Sequence, residues 1–436
     1  MEKELKFIGK WYLPEQEEIV VSGTLTYIPH ESITLELIGN FTDIDNPFEA
    51  VLNRPNPETV WGVVYDAETK KKLKRVSLLG CYRGRNNHNM SCTFPIAQYK
   101  ANYLVIGSHI NSIEDELFCE TTAKIDAMNK WCHPAALESF FPVKDDKIRG
   151  AGVSFKSDEI KNPITTSKIS DIVSISIGRG VNYNTGDAYM FDISFSQHTT
   201  IEISSEIDLS IVEIIKYVNH YEHFISFMSL CNVYAESIYL RNNSQYQELD
   251  DGVKILDAIE LIYINRRRSD LPKNYLVEYK EIEEAYPIMI TKWYNLSNDL
   301  APIRNHLIKS LRHKNIFDYS DYVIIAHALE GYYLRVVDSC RKSLELRYND
   351  LYCHFSGLQI FANKQFDAKA AADSRNYYSH FFIKESRHRV LDGIELYGLY
   401  IQMRALLICC VLELIGLDME TIDQITSSSN NGVFRS

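Results

Sequence analysis

The chain has 436 residues, 45% of them hydrophobic and 12% aromatic, with 46 Lys and Arg against 58 Asp and Glu and a formal net charge of −12. That length suits roughly two or three domains, and the apolar fraction is ordinary for a globular core. The acidic balance excludes a protein that coats nucleic acid through a broad basic surface, because counterion release needs many Lys and Arg contacts; a local basic cleft stays open.

From Leu5 to about Glu206 the apolar residues recur with period two. EIVVSGTLTYI (Glu18–Ile28) and SITLELIGNF (Ser32–Phe41) alternate apolar and polar residues across a PHE spacer and predict a hairpin. TVWGVVYDAETKKKLKRVSLLGCY repeats the plan from Thr59, and ANYLVIGSHI, VSISIGRGV and AYMFDISFS add strands. Trp11 and Trp61 are expected to fill the β core. TTAKIDAMNKWCHPAAL (Thr121–Leu137) reads as an interrupting helix. The fold class is α+β: an antiparallel, sandwich- or barrel-like β domain over 1–206, then a mixed helix and strand connection over 207–296.

After Ile207 the spacing changes to three and four. DLSIVEIIKYVNHYEHFISFMSL reads as a helix capped by Asp208 or Ser210, while VYAESIYLR and VKILDAIELIYI read as strands. From about Pro287 everything reads as helix, giving an all-α bundle over 297–424 and a disordered tail over 425–436. SDYVIIAHALEGYYLRVVDSCRKSLELRY predicts one long helix capped by Ser320, ADSRNYYSHFFI belongs to another, and VLDGIELYGLYIQMRALLICCVLELIG forms a third, stopped by Gly416.

Nine cysteines, none in a CxxC pair, suit a reducing compartment. MEKELKFIGKW lacks the apolar run of a signal peptide. The run ALLICCVLELIG is too short to span a bilayer and is interrupted by Glu413. The expectation is a cytoplasmic protein without a membrane anchor. Adjacent Cys–His pairs at Cys132–His133 and Cys353–His354 lack zinc-loop spacing, and neither HExxH nor a phosphate-binding GxxxxGK[ST] occurs, so no metal or cofactor is expected.

DSRNYYSHFF (Asp373–Phe382) carries the chemistry. Asn376 and His380 are four apart and share a helix face. Arg375 and His380 diverge by about 140°, yet a long arginine can reach a phosphate beside the imidazole. An arginine that holds a phosphate two oxygens at a time, beside a histidine that moves protons near neutrality, meets the needs of metal-free RNA cleavage; the 2′-hydroxyl of the substrate is the nucleophile. Asn376 would fix the imidazole or bind the phosphate.

RxxxxH alone is weak, since about one chance match is expected in a chain this size, and its bland alternative is a solvated polar turn. One rival match exists: RGRNNH (Arg83–His88), in a Gly- and Asn-rich loop. RYNDLYCH (Arg347–His354) fits only a looser six-residue spacing and contains YND, which reads as a helix end. Only the match at Arg375 lies within a helix of a helical domain and has Asn directly after Arg.

RNYYSH late in a bundle resembles the RNxxxH signature of HEPN domains, and AHALEGYYLRV (Ala326–Val336) resembles an earlier helix of that family, bearing Glu330. IGKWYLPEQEEIVVSGTLTYIPHESITLELIGNF resembles the N-terminal domain of ApeA-type anti-phage proteins: a G-x-W-x-L-P opening, then SGTLTY and LELIG, with ANYLVIGSHI and MNKW further on. The resemblance covers nearly the whole chain. It implies a metal-independent endoribonuclease that aborts infection by cutting RNA, tRNA being the target of related toxins. It implies a homodimer in which two RxxxxH helices face one cleft and supply two histidines. Arg375, Asn376 and His380 then match the catalytic motif, Glu330 would orient Arg375 or simply cap a core polar network, and the β domain would restrain the nuclease or recognise a phage product.

Two other readings stand beside this one: a non-catalytic HEPN-fold adaptor that binds RNA or nucleotide, and a toxin whose Tyr377 or Tyr378 is modified by a partner transferase. Tyr378, Arg387 and Arg389 are the candidate auxiliary RNA contacts; the bland alternative for the tyrosines is core packing. The basic runs KKKLKR (Lys70–Arg75), RRR (Arg266–Arg268) and RHKNIF (Arg312–Phe317) are more simply solvated turns.

Overall fold

The structure, a computed structural model, describes the chain except residues 1–2, 42–55, 67–72, 85–95, 126, 134–135, 145–146, 149–151, 156–159, 161, 185–192, 249–251, 265–271, 273, 297–298, 313–316, 340–341, 363–364, 382–388 and 429–436. Fourteen antiparallel strands hydrogen-bond in one continuous order. The expected hairpin is present: Gln16–Ile28 pairs with Ser32–Ile38, and Leu5–Leu13 pairs with both Gln16–Ile28 and Thr59–Asp66. Trp11 is fully buried and lies opposite Gly62, where a Cβ would come within 2.5 Å of the indole, so glycine makes room for the ring. Trp61 is only half-buried; it stacks on His109 at 4.8 Å instead of filling the core.

The region between the two halves is woven into the sheet. Ser237–Arg241 pairs with Phe118–Lys124, Ile259–Tyr263 pairs with Tyr103–Ile106, and these two later strands pair with each other. They bridge strands contributed by the first 206 residues, so the stretch 207–296 completes the sheet as well as connecting it to the bundle. Each half has its own apolar core. One gathers Trp11, Leu25, Leu35, Val64 and Tyr99; the other is continuous with the helices.

Nine helices occur among the described residues. Helix α1 (Ala127–Trp131) is shorter than the sequence suggests, because Thr121–Lys124 belongs to a strand and Leu137 opens another. Helix α2 (Ile211–Ser229) starts at Ser210, whose hydroxyl and Glu213 form a reciprocal capping box. Helices α3 (Tyr286–Tyr294) and α4 (Ala301–Arg312) lead into the bundle. The predicted long helix from Ser320 is two: α5 (Tyr319–Tyr332), capped by Asp318 and not Ser320, and α6 (Leu344–Phe355), capped by Ser343. A π-helical turn, Tyr333–Val337, and extended Asp338 separate them. Helix α7 (Ala368–His380) is followed by α8 (Gly393–Leu414) and α9 (Met419–Ser427), the last running past 424.

Helix α8 is 22 residues, longer than its apolar run suggests, and by length and composition could cross a membrane; 67% of its most apolar window is buried inside the protein. The described cysteines are free thiols.

Arg304 of α4 ties the bundle to α2 and α3. It is 6% exposed, and its Nη2 lies 3.2 Å from His220 Nε2 on α2. Its guanidinium lies over Trp293, 5.4 Å from the ring centre, while Trp293 Nε1 donates to the His220 carbonyl at 2.9 Å. Arginine only donates, so His220 Nε2 accepts, and His220 Nδ1 donates to the Lys216 carbonyl at 2.8 Å. A neutral imidazole is required, and burial together with the Arg304 charge pushes the His220 pKa down. The unfolded chain therefore binds this proton more readily, and stability is lost as pH falls below about 6.5. We expect His220→Gln to flatten the acid side of the stability curve by at most one proton, about 1.4 kcal/mol per pH unit, in urea titrations at several pH values.

Candidate functional site

The helix that carries the motif begins at Asp367, whose carboxylate accepts from the Ala370 amide at 2.9 Å. Ala368, Ala370, Ala371 and Ala372 are buried, so its first turns pack closely, with Lys369 exposed, and the other polar residues come from Asp373 on. Its exit is pinned at Leu391. The Leu391 amide donates to Ser374 Oγ and its carbonyl accepts from Tyr378 Oη, both at 3.0 Å.

Arg375 is the hub. Its Nη2 donates to Glu330 Oε2 at 2.6 Å, and its Nη1 meets Asn376 Oδ1 and His380 Nε2 at 3.0 Å each. The side chain is 15% exposed. Its Nε is buried with no hydrogen-bond partner. Because Arg375 can only donate, His380 Nε2 accepts and stays unprotonated while this contact lasts. His380 itself is exposed at the helix end. Glu330, a side chain of α5, thus meets Arg375 across the two helices.

Two residues that the sequence reading did not single out complete the network. Arg347 Nη1 donates to Glu330 Oε1 at 3.0 Å, so one carboxylate serves two guanidiniums, one oxygen each. Arg347 came from the rejected match RYNDLYCH; the YND segment lies inside α6 and does not end it, because Ser343 starts that helix and Phe355 closes it. His354 of the same match is held elsewhere, 2.8 Å from Glu413 Oε1. The second residue is His327, whose Nε2 lies 3.2 Å from Ser379 Oγ. Its spacing of three from Glu330 on one helix is the signal that could have found it.

Tyr378 stacks on Tyr319 at 4.7 Å and gives its hydroxyl to Leu391, so its packing is explained without a ligand. Arg389 is 55% exposed and pairs with Asp367 Oδ2 at 2.8 Å. Arg387, Arg266–Arg268, Lys70–Lys72 and His88 lie outside the described residues. Among the described residues no group of three or more His, Cys, Asp or Glu side chains is arranged to hold a metal ion.

Removing Glu330 would leave two mostly buried guanidiniums facing each other. Glu330→Ala is expected to destabilise the bundle by about 2–3 kcal/mol, and Glu330→Gln by less. In urea titrations Arg347→Met should cost much less in the Glu330→Ala background than alone, because the shared partner is already gone.

Comparison with known families agrees with this anatomy. Residues 6–293 match the model of ApeA N-terminal domain 1, and residues 297–421 match that of the Apea-like HEPN domain. The first span takes in the whole woven sheet and α3; the second takes in α4 to α8 and the start of α9. No curated protein and no solved structure shows significant similarity to the chain. With both domains present in this order, the chain belongs to the ApeA family, whose HEPN domain is associated with a nuclease-type role in anti-phage defence.

Proposed function

We propose that this protein is a metal-independent endoribonuclease of anti-phage defence, with Arg375 and His380 at its reacting centre. The observation that carries this reading is the 3.0 Å contact between Arg375 Nη1 and His380 Nε2, with Asn376 Oδ1 sharing that Nη1 and Glu330 holding Nη2. Phosphate oxygens are the natural competitors for that guanidinium. When phosphate draws Nη1 away, His380 Nε2 is released to take and give a proton. The 2′-hydroxyl then attacks the adjacent phosphorus, the bond to the 5′-oxygen breaks, and a 2′,3′-cyclic phosphate and a 5′-hydroxyl result.

The active form is a homodimer in which two motif helices share a cleft. Phe381, directly after His380, is 90% exposed, and Ile394 is 86% exposed at the start of α8. Large apolar side chains left this open are suited to burial against a second copy. The β domain would restrain the nuclease until a phage product releases it. In the adaptor reading Arg375 would hold RNA without cutting it, and loss of His380 would leave binding intact.

Cleavage of total RNA in EDTA, with end analysis, tests the proposal. Arg375→Ala and His380→Ala should each lower the rate by at least about 100-fold, and wild type should leave 2′,3′-cyclic phosphate or 3′-phosphate ends. Equal behaviour of all three, in vitro and in infected cells, would overturn the nuclease reading. Phe381→Asp should give a folded monomer by light scattering.

A further inference from the structure

We propose that His327 is a second catalytic imidazole of this site, the general base supplied by the same protomer, with His380 as the acid. The inference rests on the nuclease reading and deepens it. It removes the need for the partner's motif helix to supply the second imidazole.

The geometry is a pair of rungs between α5 and α7. His327 and Glu330 lie three apart on α5, on one face. Glu330 holds Arg375 at 2.6 Å, and His327 Nε2 meets Ser379 Oγ at 3.2 Å. Ser379 directly precedes His380. The guanidinium that would bind phosphate and the residue before the second imidazole are thus both tied to the helix that carries His327. His327 is also exposed, so a substrate can reach it. A core histidine satisfied by a serine would have no need of that exposure.

The surrounding charges favour a neutral ring. Partial burial and then the Arg375 charge push the His327 pKa below its usual value; His306 on α4 and His380 push the same way, and only Glu330 opposes them. A neutral imidazole near neutrality is what a general base requires. In the working tautomer, Nε2–H donates to Ser379 Oγ, and the Nδ1 lone pair takes the 2′-hydroxyl proton. The 2′-oxygen bonds to phosphorus, the bond to the 5′-oxygen breaks, and that oxygen takes a proton from the His380 imidazolium. Exchange with water returns His327 to neutral and recharges His380.

The experiment uses full-length protein purified from phage-infected cells: wild type, His327→Gln, His327→Asn and His380→Gln, each checked for an unchanged melting temperature. Each is assayed on RNA and on a uridine 3′-phosphodiester with a 4-nitrophenol leaving group, over about pH 5 to 9. Both His327 variants should lose at least about 100-fold on both substrates, together with the rise of rate on the acid side. His380→Gln should fail on RNA yet cleave the nitrophenyl ester at nearly the wild-type rate, because that leaving group needs no proton. If the His327 variants keep the wild-type rate and acid limb while His380→Gln is inactive on RNA, the inference falls and the nuclease reading stands. If the His327 variants are the ones rescued by the nitrophenyl ester, the assignment of base and acid is overturned. If His380→Gln cuts RNA like wild type, the nuclease reading fails and this inference with it.

Discussion

A single carboxylate organises the helical half of the protein. Glu330 gives one oxygen to Arg347 on α6 and the other to Arg375 on α7, so three helices meet at one side chain. Two guanidiniums held this close repel each other, and burial strengthens that repulsion because water screens it less. Only an ionised carboxylate between them makes the arrangement stable. The same carboxylate sets the direction of the Arg375 fork, which in turn faces Asn376 and His380. The π-helical turn begins three residues later, at Tyr333. Turns of this type recur at functional sites, where the extra residue shifts the register of the chain beyond it.

The core of this site was legible because it is local. Arg375, Asn376 and His380 lie within one helix, and helical geometry put the long arginine within reach of a phosphate beside the imidazole, though not in direct contact with the imidazole itself. Glu330 was legible only through family resemblance. Arg347 and His327 were not, because their partners come from other helices and no period records such a meeting. The error at YND shows the limit of local signals: Asn and Asp favour turns, but tertiary packing of Tyr348 and Leu351, both buried, keeps the helix going. The error at the predicted long helix runs the other way. YYLRVV continues the apolar pattern straight through a π turn, so periodicity alone could not reveal the break.

In the sheet, alternation identified strands but not their neighbours. Tyr103–Ile106 pairs with Ile259–Tyr263 across a long loop of chain, and nothing in either segment names the other. The stretch 207–296 read as a connection because its helix and strands alternate in sequence. Two of its strands, Ser237–Arg241 and Ile259–Tyr263, instead close the gap between the halves of the sheet. Helix α2 then carries His220 to Arg304, so α2 and α4 meet at a buried cation with no acidic partner among its described hydrogen bonds.

The overall charge of −12 and the local chemistry agree on one point. Arg375, Arg347 and Arg389 are each within 3.0 Å of a carboxylate oxygen, so a substrate phosphate meets cations that are already neutralised. Long-range attraction of RNA to such a surface is weak. In the proposed nuclease, binding would come from short-range exchange of partners at Arg375, where the Asn376 and His380 contacts are the neutral ones and therefore the cheaper to give up. A phosphate that displaced them would keep the Glu330 bond in place, so the guanidinium would stay aimed while the imidazole was freed. Under that proposal, substrate recognition and release of the proton-transfer group would be the same event.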